Sequence, residues 1–441
     1  MSYRGKVFLV LISFTISLYA IFGGVLKNWS PAFAQQPIND AGAQIRIFES
    51  VLQHIQNDYV DEPNLEKVRA GALRGLAYGL DPYSSYLSAE QVKDFQAKKQ
   101  NTLAGIGAEF SQVSSYLYVI AVIKDSPADR AGLKSGDVIE YIETKATRDL
   151  SLYDARQLLL GDAGSKVNLR VLRTGEKPQT LIVTRGTYKI PAVEIKIEEG
   201  KIGVLKVYSL EAGEAGDIRS RVQDLMKQGV QKIILDLRGV AAGDINEAVE
   251  VANLFIKEGN LAQILGRDNK VSKSFAADPK KFVFDGKLVV LIDLGTAGAA
   301  EVVASAILEK QRGEIVGERS FGAGTQQQLF ALRSGDGLLL TTAKWASAMG
   351  KPFLSEERAD SGVKPSIEVK RPETPDPIEV EDLVEKQEEQ NQEPKPQATP
   401  QPSPTPKIKE QPKQNSEDIQ MKKALEILQD KAKAASAGSS E

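Results

Sequence analysis

The strongest constraint on the fold lies between Lys287 and Gln328, KLVVLIDLGTAGAAEVVASAILEKQRGEIVGERSFGAGTQQQ. Leu288 to Ile292 is a short apolar run, the pattern of a strand buried on both faces. Gly295, Gly298 and the alanines around them form a tight turn. Glu301 to Leu308 follows as a helix, with Val302, Val303, Ala306 and Ile307 on its inner side. A second short strand, Glu314 to Val316, leads to another glycine turn, Phe321-Gly322-Ala323-Gly324. A strand, a turn of small residues and a helix is where α/β enzymes often hold a nucleophile. Here the turn offers no strong one.

Composition narrows the chemistry. With 441 residues there is room for two or three domains, and 41% hydrophobic residues suffice for a real core. A net charge of −3 gives no reason to expect nucleic acid or an anionic membrane as partner. There is no cysteine and one histidine, His54. Disulfides, thiol catalysis and cysteine zinc sites are excluded, and a histidine triad is disfavoured. No cofactor and no metal are expected. His54 lies among apolar neighbours in a helical pattern and reads as a surface or half-buried residue.

The N-terminus reads as a secretory signal. Arg4 and Lys6 precede an apolar run from Val7 to Leu26, and Ala32-x-Ala34 supplies a cleavage site. The run is long enough to remain as an uncleaved membrane anchor. Either way the mature chain is expected outside the cytoplasm, in a periplasmic or other extracytoplasmic space. There is no cysteine for lipid attachment.

Two helices are expected over Ile45 to Tyr59 and Leu65 to Leu80, broken by Asp81 to Tyr86. Ser88 caps a third over Ala89 to Lys98. Asn101 to Thr184 is β-rich, with strands at Ile106 to Phe110 and Leu117 to Val122, a helix at Leu152 to Leu160, and a hairpin around Thr174-Gly175. From Lys201 to Val369 strands and helices alternate, which implies a largely parallel sheet covered on both faces. Arg371 to Ser416 is rich in Pro, Glu, Gln and Lys and reads as a disordered linker. Ser416 would cap a last amphipathic helix, Glu417 to Ala434, docked on the body or on a partner.

The segment Ser126 to Ile139, SPADRAGLKSGDVI, resembles that of a PDZ domain, and the helix–hairpin ending suits the permuted bacterial form. The resemblance implies binding of protein C-termini by strand addition, with Leu103, Ala104, Gly105, Ile106 and Gly107 as the carboxylate-holding loop. Further motifs follow in order: LDPYSSYL at Leu80 to Leu87, DLR at Asp236 to Arg238, EAVEVANLFI at Glu247 to Ile256, VGERSFG at Val316 to Gly322 and LTTAKW at Leu340 to Trp345. Together they resemble the C-terminal processing peptidases, or tail-specific proteases. That resemblance implies an α/β, ClpP/crotonase-like protease core with an inserted PDZ domain and N-terminal helices. The divisions would be 1–34 signal peptide or anchor, 35–100 helical region, 101–186 PDZ domain, 187–370 peptidase-like core, 371–416 linker and 417–435 C-terminal helix.

The family uses a serine nucleophile and a lysine base. Matched turn by turn, the serine position is Gly298 in Gly295-Thr296-Ala297-Gly298-Ala299-Ala300-Glu301, and the lysine position is Ala323 in Phe321-Gly322-Ala323-Gly324. The interval between them is the family's. Gln327 keeps the position of a glutamine that assists the lysine. The loop that helps form the oxyanion hole reads Asp236-Leu237-Arg238-Gly239-Val240-Ala241-Ala242-Gly243, a third departure. Glycine cannot attack and alanine cannot take a proton. The resemblance therefore implies a serine peptidase scaffold with its dyad gone, which binds protein C-termini or scaffolds active relatives. It also makes an assembly plausible, as a homo-oligomer or with related peptidases. The rival from the enzyme class is an active endopeptidase with a relocated nucleophile, Thr296 or Ser320. Lys310 reads as solvated and Ser305 as too deep in its helix. A third reading is a structural subunit whose PDZ groove is closed.

Overall fold

The computed structural model describes residues 40–98, 103–371 and 417–437. The expected signal segment and the expected linker from 372 to 416 lie outside the described residues. The chain divides into two units, Met1–Gly71 and Ala72–Glu441. The first contains α1 (Ala41–Asp58), whose apolar residues Ile45, Ile47, Phe48, Val51 and Leu52 are exposed. His54 on α1 is exposed too and pairs with Asp58 one turn on. Helix α2 (Leu65–Tyr78) follows.

In the second unit, Asp81 ends the helical run by accepting the Tyr83 and Ser84 N–H groups at 2.7 and 2.9 Å. Its Oδ1 also accepts from Thr341 Oγ1 at 3.0 Å. This staple aligns β1 (Ser85–Leu87), which pairs antiparallel with residues 337–339. The sequence reading has only a chain break there; three residues pairing some 250 positions away carry no local signal. Helix α3 (Ala89–Gln96) begins at Ser88, as expected, in a capping box with Gln91.

A six-stranded sheet comes next: β2 (Ala108–Val113), β3 (Tyr116–Val122), β4 (Val138–Ile142), β5 (Lys145–Ala146), β6 (Lys166–Leu172) and β7 (Gln179–Thr184). Its path is β2-β3-β4-β6-β7, with β5 on β4. Helix α4 (Pro127–Arg130) and α5 (Leu152–Leu159) complete the domain. Leu117, Ile139, Leu169 and Val183 alternate inward onto Leu152, Ala155 and Leu159 of α5.

The α/β core holds a second six-stranded sheet: β8 (Glu194–Glu198), β9 (Ile202–Lys206), β10 (Lys232–Asp236), β13 (Lys287–Ile292), β14 (Glu314–Gly317) and β17 (Ile367–Glu368). All pairings are parallel except that of β8 with β9. Helices α6 (Glu214–Lys227), α7 (Ile245–Asn253) and α8 (Ala299–Glu309) pack on one face. An antiparallel sheet, β1-β16-β11-β12 with β15 on β16, is unforeseen by the sequence reading; its members are β11 (Asn260–Leu265), β12 (Val271–Ala276), β15 (Thr325–Ala331) and β16 (Gly337–Ser347).

The other face of the parallel sheet is covered by α9 (Ile419–Ala437). Ala424 and Leu428 are buried against Ile202, Val204, Ile234, Val289, Leu291 and Val316. The helix docks on the body. Its first turn is capped by Asp418, which accepts from Met421 N–H at 2.9 Å, in place of the expected Ser416, which lies outside the described residues.

Candidate functional site

Strand β13 is buried on both faces because helices cover one side and α9 the other. It delivers the chain to Asp293, whose Oδ1 accepts the N–H groups of Gly239 at 2.9 Å and Gly295 at 3.0 Å. One carboxylate thus fixes both the first glycine turn and the Asp236–Gly243 loop. Ala297 N–H adds a bond to Val240 O at 2.9 Å.

Gly298 sits between this turn and α8 with φ 56° and ψ −110°. Such a φ suits glycine and strains other residues. It is the sharp strand-to-helix bend on which hydrolases raise a nucleophile. A Cβ built there would meet nothing closer than Trp345 Cζ3 at 3.7 Å and Ala241 O at 3.9 Å. There is space for a side chain where the sequence has none.

Glu301, one turn into α8, is fully buried. Its Oε2 accepts from Gly298 N–H and Ala323 N–H, both at 2.8 Å. Its Oε1 accepts from Gly322 N–H at 2.7 Å and Ser320 Oγ at 2.5 Å. A single carboxylate oxygen therefore brings the two turn residues Gly298 and Ala323, matched above to the expected nucleophile and base positions, to one point. Burial pushes the Glu301 carboxyl up to about 7, against the opposing pull of Ala323, Ser320, Gly298 and Gly322. Gln327 lies further along β15, exposed, and donates to Thr325 Oγ1 at 2.6 Å and Thr341 Oγ1 at 3.3 Å.

The alternative nucleophiles are committed elsewhere. Thr296 Oγ1 donates to Leu237 O at 2.9 Å and accepts from Asp293 N–H at 3.0 Å; the residue is fully buried. Ser320 has a carboxylate neighbour, Glu301, that its sequence position does not reveal. Yet it is 1% exposed, and its Oγ also accepts from Val363 N–H at 2.7 Å. Ser305 is buried and donates to Val302 O at 3.2 Å. Lys310 is exposed at the end of α8.

The β-domain lies over this site. Val113, Tyr118, Ile120, Val138 and Leu172 form one cluster with Ala297 and Phe321, and Ala241 and Ala323 pack against it. The rings of Tyr118 and Phe321 stack with centroids 5.6 Å apart. The Arg358 guanidinium lies 3.7 Å from the centre of the Phe321 ring. Tyr118 and Arg358 were not singled out from the sequence. Tyr118 reads as one residue of an apolar strand, and Arg358 as part of a solvated charged run, EERAD.

The expected carboxylate-holding loop is built into the same domain. Ala104 N–H donates to Gly161 O at 2.8 Å, while Gly105 O and Ile106 O accept from Gly186 and Ala128 N–H groups. Gly107, at φ 79°, abuts Ser126; a Cβ there would come within 2.3 Å of Ser126 Cβ. Among the described residues, strand β2, which follows the loop, pairs only with β3 and so presents an edge to α5. That edge is partly engaged already: Arg156 Nη2 donates to Phe110 O at 2.9 Å and Gln112 Nε2 to Leu150 O at 2.7 Å.

A charge cluster ties the DLR motif to α9. Arg238 grips Asp236 through Nε and Nη2 at 3.0 and 2.8 Å, and Asp418 through Nη1 and Nη2 at 2.8 and 2.9 Å. Burial alone would raise the Asp236 carboxyl, but Arg238 and Lys206 hold it below its ordinary value. Asp418 is likewise held low, with Arg238 outweighing burial.

Two family models match the chain: peptidase family S41 over residues 201–369 and PDZ domain over 118–173. The carboxy-terminal processing protease CtpA of Bacillus subtilis is 29% identical over 370 residues, covering 83% of this chain and 78% of that protein. The carboxy-terminal-processing protease of Bartonella bacilliformis is 29% identical over 334 residues, covering 75% and 76%. Among solved structures, the photosystem II D1 C-terminal processing protease superposes with a TM-score of 0.62 at 26% identity, covering 73% of this chain and 86% of that one. With its S41 peptidase core and PDZ domain, the chain belongs to the C-terminal processing peptidase family.

Proposed function

We propose that this protein is an exported member of the family that has lost the Ser–Lys dyad and binds protein C-termini without cleaving them. One observation carries the reading. Gly298 and Ala323 donate to the same oxygen of Glu301 where a nucleophile and its base would have to meet, and neither bears a group that can attack or take a proton. The burial of Thr296 and Ser320 speaks against a relocated nucleophile. Peptide tails would add to the edge of β2, with the Leu103–Gly107 loop at the terminal carboxylate and Arg156 displaced from Phe110 O. Export rests on Arg4, Lys6, the apolar run and Ala32-x-Ala34.

The test uses the full chain and a panel of C-terminal peptides. Saturable binding that is lost on C-terminal amidation, with no cleavage above buffer, is expected. Specific fluorophosphonate labelling, or cleavage abolished by Thr296→Ala or Ser320→Ala, would overturn the reading. Gly298→Ser combined with Ala323→Lys should create measurable cleavage, because the bend has space for a side chain. Absence of any gain would point to the altered 239–243 loop.

A further inference from the structure

We propose that Arg358 is a receptor for a peptide carboxylate beside the Phe321–Gly324 turn, a second anchor distinct from the Leu103–Gly107 loop. Arg358 opens the short 3-10 turn Arg358–Asp360. Its guanidinium stacks on Phe321, and Nη1 donates to Gly322 O at 3.3 Å. Nε and Nη2 are buried and have no hydrogen-bond partner among the described residues. Leaving the donors of a charged group buried and unmatched is strongly unfavourable.

The vacant pair of nitrogens is informative. Nε and Nη2 form one edge of the planar guanidinium, the fork that takes both oxygens of a carboxylate. Among the described residues, Arg173 and Arg238 set that edge against both oxygens of a carboxylate: Arg173 holds Asp137 at 2.7 and 2.7 Å, and Arg238 holds Asp236 at 3.0 and 2.8 Å. Arg371 directs the same edge at a single oxygen, Glu318 Oε2, at 3.2 and 2.8 Å. Arg358 presents the fork with nothing in it. Glu301 is the nearby buried carboxylate, but two donors already occupy each of its oxygens. Glu356, Glu357 and Asp360 are exposed, and Arg319, which donates to Arg358 O, adds positive charge.

A carboxylate seated on the fork would lie beside the Phe321–Gly324 turn, which carries Ala323. It could come from a chain terminus or from an acidic side chain. The assignment rests on the reading that the chain binds peptides, so it is tested by two independent measurements on the full chain.

The first uses acetate as probe at constant ionic strength, with chloride as reference. Acetate should raise the thermal midpoint of the wild type saturably, and this shift should vanish in Arg358→Met and Arg358→Lys. Met keeps the contact with Phe321, and Lys keeps the charge without the fork. In the absence of acetate, Arg358→Met should be at least as stable as wild type, the opposite of what a structural arginine would show. Equal acetate shifts in all three proteins, or their absence in the wild type, would overturn the proposal even if no peptide binds.

The second measurement compares peptides with a free C-terminus, with an acidic residue and an amidated C-terminus, and with neither. Arg358→Met should weaken one of the two carboxylate peptides at least about tenfold and leave the neutral one unchanged. The peptide that weakens identifies the source of the carboxylate. Unchanged affinity for both would refute the site while leaving tail binding by the PDZ loop intact.

Discussion

Replacing Glu301 with alanine is expected to cost this protein most of its stability. Three backbone N–H groups and the Ser320 hydroxyl would lose their acceptor inside a fully buried site. Each orphaned donor costs about 1–3 kcal/mol. Even with partial relaxation, the sum is on the order of 5 kcal/mol, comparable with the whole stability of a typical domain. Urea unfolding followed by Trp345 fluorescence reads it out, since the indole packs against the Gly298 bend. A midpoint equal to that of wild type would show that Glu301 is not what holds the two turns.

The same carboxyl gives stability a definite pH slope. Its pKa in the folded chain is raised from an ordinary 4.5 to about 7. Between those values the folded state keeps a proton that the unfolded chain has released. Stability from this group is therefore full below about pH 4.5 and is lost as pH rises toward 7, in total on the order of 3 kcal/mol. Asp236 and Asp418, held below their ordinary 3.8, act with the opposite sign, and only at the acid end. Glu301→Gln should flatten the slope between pH 5 and 7. A slope unchanged in that variant would assign the titration to another group.

Deleting residues 417–441 is the second large effect. Helix α9 is the layer that makes β10 and β13 interior strands, and without it Ile234, Val289 and Leu291 would face water. Burying one large aliphatic side chain contributes about 1.5–3 kcal/mol. Leu428 and Ala424 are fully buried, while Met421, Leu425 and Ile427 contribute in part. The loss, with the Arg238–Asp418 pair, should be on the order of 5 kcal/mol. The bared sheet should also self-associate. Leu428→Ala alone should cost about 2–4 kcal/mol. A synthetic α9 peptide added in trans should restore the truncated chain's midpoint and the sedimentation of the full chain. A truncated chain that sediments and unfolds like the full chain would mean that the docking is energetically idle.

What could be read in advance was local. The apolar run of β13, the glycines of the two turns and the periodicity of α8 each carry their own signal. The order of motifs placed Gly298 and Ala323 in corresponding turns. What could not be read depended on residues far apart in sequence. Asp81 meets Thr341, Tyr118 meets Phe321, and Arg238 meets Asp418. A tyrosine in an apolar strand or an arginine among acids looks the same whether it lines a cleft or faces water.

By itself the sequence determined which atoms are available. No cysteine, a glycine at one turn and an alanine at the other limit the chemistry whatever the fold, because geometry cannot supply a functional group that the side chains lack. Only the tertiary structure decided where the remaining charges sit. It buried Glu301 among four donors, occupied the forks of Arg173, Arg238 and Arg371, and left the fork of Arg358 empty. The physical reason is that desolvation and hydrogen-bond satisfaction are properties of neighbours in space, and the chain brings those neighbours together from positions as distant as 81 and 341.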